Sequence, residues 1–282
     1  MGRLPVHLLI SALCTSAIPV LDAAYADDWI EPGDETIVLG AGYFLPYFDS
    51  KIRVDNTRIN AGDEVNLEDD LGLQSSETIA WLSGSWRFGA NHRVSMSYFQ
   101  ILRSASATAL RNITIGEETY PVGATLSTRF RFQSLPITYH YSFIKSPKHE
   151  FSGTAGLQWN TIELNVNGSA SVGSGSVDGV ASAKSIAPLP LLGLEYSYHA
   201  NRRWTSDIHA EVFAIDIGDD AFSFSGSFHN VRASTEYWFY NHFGAGVALN
   251  WFDLDVDVED DDWKGTINYQ YIGPQVYIQT RF

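Results

Sequence analysis

From Thr36 to Phe282 the chain alternates apolar and polar residues in one segment after another, with turn-forming residues between them. Alternation of this kind has the two-residue period of a strand, not the period of about 3.6 that marks a helix. It predicts strands near 36–55, 77–89, 92–115, 124–144, 150–167, 184–199, 203–217, 221–240, 242–258 and 264–282. The connections are of two kinds. "FGANH" (88–92), "IKSPKHE" (144–150), "HANRR" (199–203) and "YNH" (240–242) are short, whereas 56–76, 116–123, 168–183, 218–220 and 259–263 are longer or more polar. The two kinds take turns along the chain, so all short turns gather at one end of an antiparallel, up-and-down sheet of ten strands.

Most of these strands are longer than the roughly 9–11 residues that cross a bilayer's hydrocarbon, and their faces change character part-way. In the first, Ile37, Leu39, Ala41, Tyr43, Leu45 and Tyr47 share a face that continues as Asp49, Lys51, Arg53 and Asp55. In the ninth, Phe243, Ala245, Val247, Leu249 and Trp251 lead on to Asp253, Asp255, Asp257 and Glu259, while the other face passes from Gly244, Gly246 and Asn250 to Phe252, Leu254 and Val256. Uninterrupted strands explain this if the sheet closes into a barrel with two storeys. The lower storey is apolar outside and polar inside, with Arg87, Arg93, His140, Glu195, Asp207, His209, Glu211, Arg232 and Glu236 in its lumen. The upper storey is polar outside and apolar inside, with Phe48, Trp81, Phe130, Phe132, Phe213, Phe222, Phe224, Phe228, Leu254 and Val256 among its inward residues.

Composition narrows the setting. A formal charge of −15 over 282 residues leaves no basic stripe to neutralise phosphates, which argues against a nucleic-acid partner. Arg3, the apolar stretch Leu8–Leu21 and Ala24-Tyr25-Ala26 form a secretory signal peptide pattern, so residues 1–26 are expected to be removed and 27–282 to form the barrel domain. The single cysteine, Cys14, falls inside the removed segment. Beyond residue 26 no run of about 18 apolar residues offers a membrane helix. The chain ends in "YIGPQVYIQTRF", where Phe282, Thr280, Ile278, Val276, Pro274 and Ile272 share one face and Arg281, Gln279, Tyr277 and Gln275 the other. That terminus resembles the assembly signal of bacterial outer-membrane β-barrel proteins, and the resemblance extends over the whole expected mature length. It implies an all-β transmembrane barrel in the cell outer membrane, extended beyond the lipid on the extracellular side. It also implies insertion by the barrel-assembly machinery through Phe282, contact with outer-membrane lipid and lipopolysaccharide, and a monomer.

Candidate chemistry is sparse. Asp207-Ile208-His209 resembles the Asp/His pair of omptin proteases but sits near a short turn, at the opposite end from the rim where that pair works. No histidine has the serine spacing of outer-membrane lipid hydrolases, so no catalytic residue and no cofactor is expected. Asp253, Asp255 and Asp257 are candidate ligands for a divalent cation, although Val258 stands where a calcium loop needs glycine. The inward phenylalanines of the upper storey are the expected ligand site: a chamber that binds or passes a small hydrophobic molecule. A non-transporting structural or surface-interaction barrel is the alternative, and an outer-membrane hydrolase the second.

Overall fold

The computed structural model describes residues 29–56, 62–115, 118–172, 175–218, 222–260 and 263–282; the expected signal segment lies outside them. Among these residues the chain forms fourteen strands. They are β1 (Ile37–Phe44), β2 (Tyr47–Asn56), β3 (Glu64–Asn66), β4 (Ile79–Gly89), β5 (His92–Thr108), β6 (Ile113–Ile115), β7 (Glu118–Tyr120), β8 (Thr125–Lys145), β9 (His149–Val172), β10 (Gly175–Asn201), β11 (Trp204–Gly218), β12 (Phe222–Tyr240), β13 (Phe243–Asp260) and β14 (Trp263–Arg281). Neighbours pair antiparallel in the order β1-β4-β5-β8-β9-β10-β11-β12-β13-β14, and β14 returns to β1 through the register Val38↔Arg281 to Phe44↔Gln275. The sheet is therefore a closed barrel of ten staves with extra strands at its upper end. Closure removes the unpaired edges that an open sheet would expose.

The predicted first strand is one stave interrupted once. The partner of β14 passes from Phe44↔Gln275 to Tyr47↔Ile272 across Leu45-Pro46. Pro46 has no N–H for the ladder, while the Leu45 N–H still donates to the Pro274 carbonyl at 3.0 Å. Gly273 permits that approach, because a Cβ there would lie 2.2 Å from the Leu45 oxygen. Above the break β2 leaves β4 and takes β3 as its neighbour, with Ile52 opposite Val65.

Two expectations need correction. The strand predicted over 92–115 stops at Thr108, and Ile113–Ile115 pairs instead with β7 in a separate two-stranded ribbon. The turn at Gly123, with φ +86°, redirects the chain, and two bonds fix it there: Ala109 N–H donates to the Ala124 carbonyl and Gly123 N–H to the Ala109 carbonyl. The stretch 168–183, read as a loop from its glycines and serines, instead extends a hairpin whose register runs unbroken from His149↔Tyr198 to Val172↔Gly175. A ladder already set by strong strands below it carries through a stretch of weak strand formers.

The two storeys are present as expected. Below, Leu39, Leu82, Leu194, Val247 and Ile278 point outward and are exposed. Above, apolar inner faces meet in a buried core.

Candidate functional site: a packed upper storey over a polar chamber

The expected hydrophobic chamber is filled. Phe48, Phe130, Phe132, Phe228 and Leu254 are each no more than 3% exposed. Their rings pack on one another, on the inward Phe252, and on Phe99, Tyr269 and Tyr271, which sequence reading did not single out: Phe132 lies 5.1 Å from Tyr269 and 6.0 Å from Phe99, and Phe252 stacks on Tyr271 at 4.6 Å. Phe213 and Val256 are partly buried against this core. Trp81 sits lower, 5.5 Å from Tyr277, and lines the polar chamber described below. The side chains of Phe222 and Phe224 lie outside the described residues.

Some of the filling comes from the first long loop and not from the wall. Leu67, Leu71 and Leu73 are buried to 3% exposure or less. The acids between them have specific partners. Glu68 pairs with the buried Arg103, which also bonds Ser50 Oγ and the Gln74 carbonyl. The Arg103 guanidinium lies 4.3 Å above the Phe48 ring and 4.9 Å above Phe130. Asp70 pairs with Arg111 at 2.9 Å. The loop is thus latched into the barrel mouth by one buried ion pair within an aromatic cage.

Outside, the acid ladder of β13 is matched position by position on β14. Asp253, Asp255 and Asp257 stand opposite Gln270, Asn268 and Thr266. Asn268 donates to Asp255, Thr266 donates to Asp257 at 2.6 Å, and Gln270 bonds Asp253. Burial, then the neighbouring Asp255, raises the Asp253 carboxyl above the usual carboxylate range. Among the described residues no group of three His, Cys, Asp or Glu side chains converges on a metal-sized site, so the metal reading of these acids finds no ligand set.

The lower lumen holds a polar cavity of about 280 Å³. All nine residues expected there line it: Arg87, Arg93, His140, Glu195, Asp207, His209, Glu211, Arg232 and Glu236. So do Ser95, Glu150, His199 and Tyr277, which sequence reasoning left out. Parity counted from Ser152 and Thr154 puts Glu150 inside, at the first position of the strand predicted over 150–167. Arg87 pairs with Glu150 at 3.0 Å, and Arg93 pairs with Glu195. Arg232 bonds Gln275 at 3.0 Å and lies 5.3 Å from the Tyr277 ring centre. Glu236 accepts from Tyr277 Oη at 2.9 Å and from Gln279 at 2.7 Å, and Glu211 accepts from Asn230 at 3.1 Å.

Ser95, His140 and Glu195 come together from β5, β8 and β10 in an order resembling a hydrolytic triad: Ser95 Oγ is 2.7 Å from His140 Nε2, and His140 Nδ1 is 3.4 Å from Glu195. Arg93 changes its meaning. Its guanidinium reaches Nδ1 at 3.0 Å, and in the tautomer where Nδ1 accepts that bond the ring proton sits on Nε2. In that tautomer Ser95 accepts from the histidine, the reverse of what a general base needs.

A strap of residues 29–36 crosses the periplasmic mouth beneath this chamber. Trp29 lies 4.8 Å from the Arg203 guanidinium and 5.8 Å from that of Arg281. The Ile30 N–H donates to Asn241, Glu31 pairs with Arg202 at 2.7 Å, and Asp34 pairs with Lys145 at 3.0 Å. The strap thereby touches the β8–β9, β10–β11 and β12–β13 turns. The terminal Phe282 closes the first stave, its carbonyl accepting from Thr36 and Ile37 and its ring stacking on His242.

No protein-family model matches the sequence, and no curated protein matches it. Among solved structures, the chain is similar to the outer membrane protease OmpT of Escherichia coli, with a TM-score of 0.53 and 11% identity over 92% of this chain and 99% of that one. It is also similar to OprG of Pseudomonas aeruginosa (TM-score 0.41, 9% identity, 88% and 96% covered) and to the toluene transporter TodX of P. putida (0.36, 11%, 89% and 92%). At these identities the likeness is one of fold. The chain has the fold of an outer-membrane β-barrel, with ten staves and an apolar outer band around its lower storey.

Proposed function

We propose that this protein is a non-transporting outer-membrane barrel with a structural or surface-interaction role. One observation carries the reading: the upper storey is filled by the protein's own side chains, with Phe132, Phe228, Leu67 and Leu71 all at 0% exposure. Passage of a small hydrophobic molecule would require Leu67, Leu71 and Leu73 to leave the space they occupy and the Arg103–Glu68 pair to open. Opening would expose three buried leucines to water and undo the hydrogen bonds of Arg103 to Glu68, Ser50 and Gln74 together, which opposes it. In the tautomer where His140 Nδ1 accepts from Arg93, Ser95 has no base aligned to activate it, which argues against a hydrolase.

The outward wall above the lipid suits contact with lipopolysaccharide. Arg129 stands there among Ser104, Ser127, Asn165 and Asn167, groups that match phosphate and sugar oxygens. The test is a fluorescence titration of the folded protein in detergent with a fatty-acid-like dye, alongside release of a hydrophobic solute from proteoliposomes. The proposal expects neither binding nor release above protein-free controls. Stoichiometric dye binding to the parent protein would overturn it.

A further inference from the structure

The floor of the polar chamber does not belong to the barrel wall. Gly33 and Glu35, both on the strap 29–36, line the chamber at its periplasmic end. The sequence builds the strap's shape. In Glu31-Pro32-Gly33-Asp34, proline fixes the second position of a turn and Gly33, with φ +86°, takes the third, while the Asp34 N–H closes the turn on the Glu31 carbonyl at 3.0 Å. The turn is pressed into the mouth. Gly33 is buried, and a Cβ there would lie 3.0 Å from Glu150 Oε2 and 3.7 Å from His199 Nε2. It therefore rests against the Arg87–Glu150 pair of the chamber.

What holds the strap differs from what holds the staves. The ladder starts at Thr36, whose N–H donates to the Phe282 carbonyl at 2.6 Å and whose carbonyl accepts from the Arg87 N–H at 2.8 Å. Before Thr36, no described residue of the strap shares a backbone–backbone hydrogen bond with the barrel. The ties run to side chains instead: Asn241 for the Ile30 N–H, Lys145 for the Gly33 carbonyl and Asp34, Arg202 for Glu31, Arg281 for Glu35, and Arg203 beside the Trp29 ring. Both side chains of the Glu31–Arg202 pair are 52% exposed, and Asp34 is 63% exposed. Ion pairs in water add little each. A segment tethered in this way opens locally at far lower cost than a stave paired along both edges. Thr36 is where the two regimes meet.

We propose that residues 29–35 are a door to the polar chamber, which swings about Thr36 and switches the lower lumen between sealed and open to the periplasm while every stave stays paired. The seated Gly33 turn is the closed state. Opening exposes Arg87, Glu150 and His199 to periplasmic water and admits small polar solutes to a chamber of about 280 Å³. The upper storey takes no part in the motion. The non-transporting reading, which dye binding and conductance test, therefore stands or falls separately.

The experiment places a single thiol on the chamber wall with Ser85→Cys, in a chain whose one native cysteine, Cys14, lies in the expected signal segment. The folded full-length protein in detergent is treated with a small cationic methanethiosulfonate reagent and labelling is followed by mass spectrometry, with the parent chain as background. Labelling should be slow when the door is native. It should become at least tenfold faster with Gly33→Val, because valine is strained at this φ and its Cβ would press on Glu150. A thiol on the outer wall, Ser106→Cys, should react at the same rate with either door. The barrel's unfolding temperature, read by heat-modifiable gel migration, should not change. If Gly33→Val does not fold, Glu31→Gln with Asp34→Asn removes two exposed pairs and should speed labelling severalfold. Equal labelling of Ser85→Cys with the door seated and unseated would overturn the proposal. So would a lowered unfolding temperature of the barrel in the unseated variants, since the strap would then be a brace of the ladder and not a door.

Discussion

Phe132→Ala asks the upper storey whether it is a core. The ring is completely buried on the inner face of β8, between Ile101 of β5 and Ile162 of β9, with the rings of Phe99, Tyr269 and Phe252 at 6.0, 5.1 and 6.3 Å. Truncating a phenylalanine in such a place costs about 3–5 kcal/mol, and the loss is larger when the surroundings cannot collapse into the hole. Here the surrounding staves are joined in a closed ladder, so the upper part of that range is expected. Unfolding of the detergent-folded protein in guanidinium, followed by tryptophan fluorescence, measures the loss. Phe213→Ala, which removes a ring that is only partly buried, should cost clearly less. The variant should also gain what the parent lacks, a dry cavity that admits a benzene-sized probe. A destabilisation below about 1 kcal/mol for Phe132→Ala would mean that the ring borders empty space, and the packed-core reasoning would fail.

Three further changes probe other parts of the account. Arg103→Ala strands Glu68 in the aromatic cage and should cost about 3–5 kcal/mol, whereas Arg103→Met with Glu68→Leu should be close to neutral; protease sensitivity of the 62–78 loop, high in the first and low in the second, checks this. Val247→Arg places a charge on the lipid face at about 2–4 kcal/mol, while Asp255→Arg on the same face of β13 above the lipid should cost little, and equal losses in folding into lipid vesicles would refute the two storeys. Deleting Phe282 removes the pairing with Thr36 and Ile37, so lower amounts of inserted protein with unchanged export are expected; normal outer-membrane levels would count against the terminal signal.

Much of this architecture was legible because a strand's parity is a property of local sequence. Val247 and Asp255 lie on one face whatever the rest of the chain does, and that was enough to place all nine lumen residues. What parity cannot say is whether inward apolar faces leave a void. The answer lay in "NLEDDLGL" (66–73), a stretch whose local sequence shows mainly its acids. Leu67 and Leu71 fill the barrel mouth instead, and Glu68 finds Arg103 35 residues away. The destination of a loop side chain is set by tertiary contacts, and no local period encodes it. The same holds for Ser95, His140 and Glu195, which meet from three strands without any shared motif. Reading 168–183 as a loop failed for a different reason. Its glycines and serines have weak strand preference, and the hairpin beneath them supplies the register.

The central claim, a barrel shut by its own upper storey, is tested most directly by ion conductance of the purified parent protein in planar bilayers. The account predicts a baseline indistinguishable from protein-free membranes at all voltages and in high salt, because among the described residues the Phe132–Tyr269–Phe252 layer and the latched first loop fill the bore. Reproducible single-channel steps from the parent protein would contradict it.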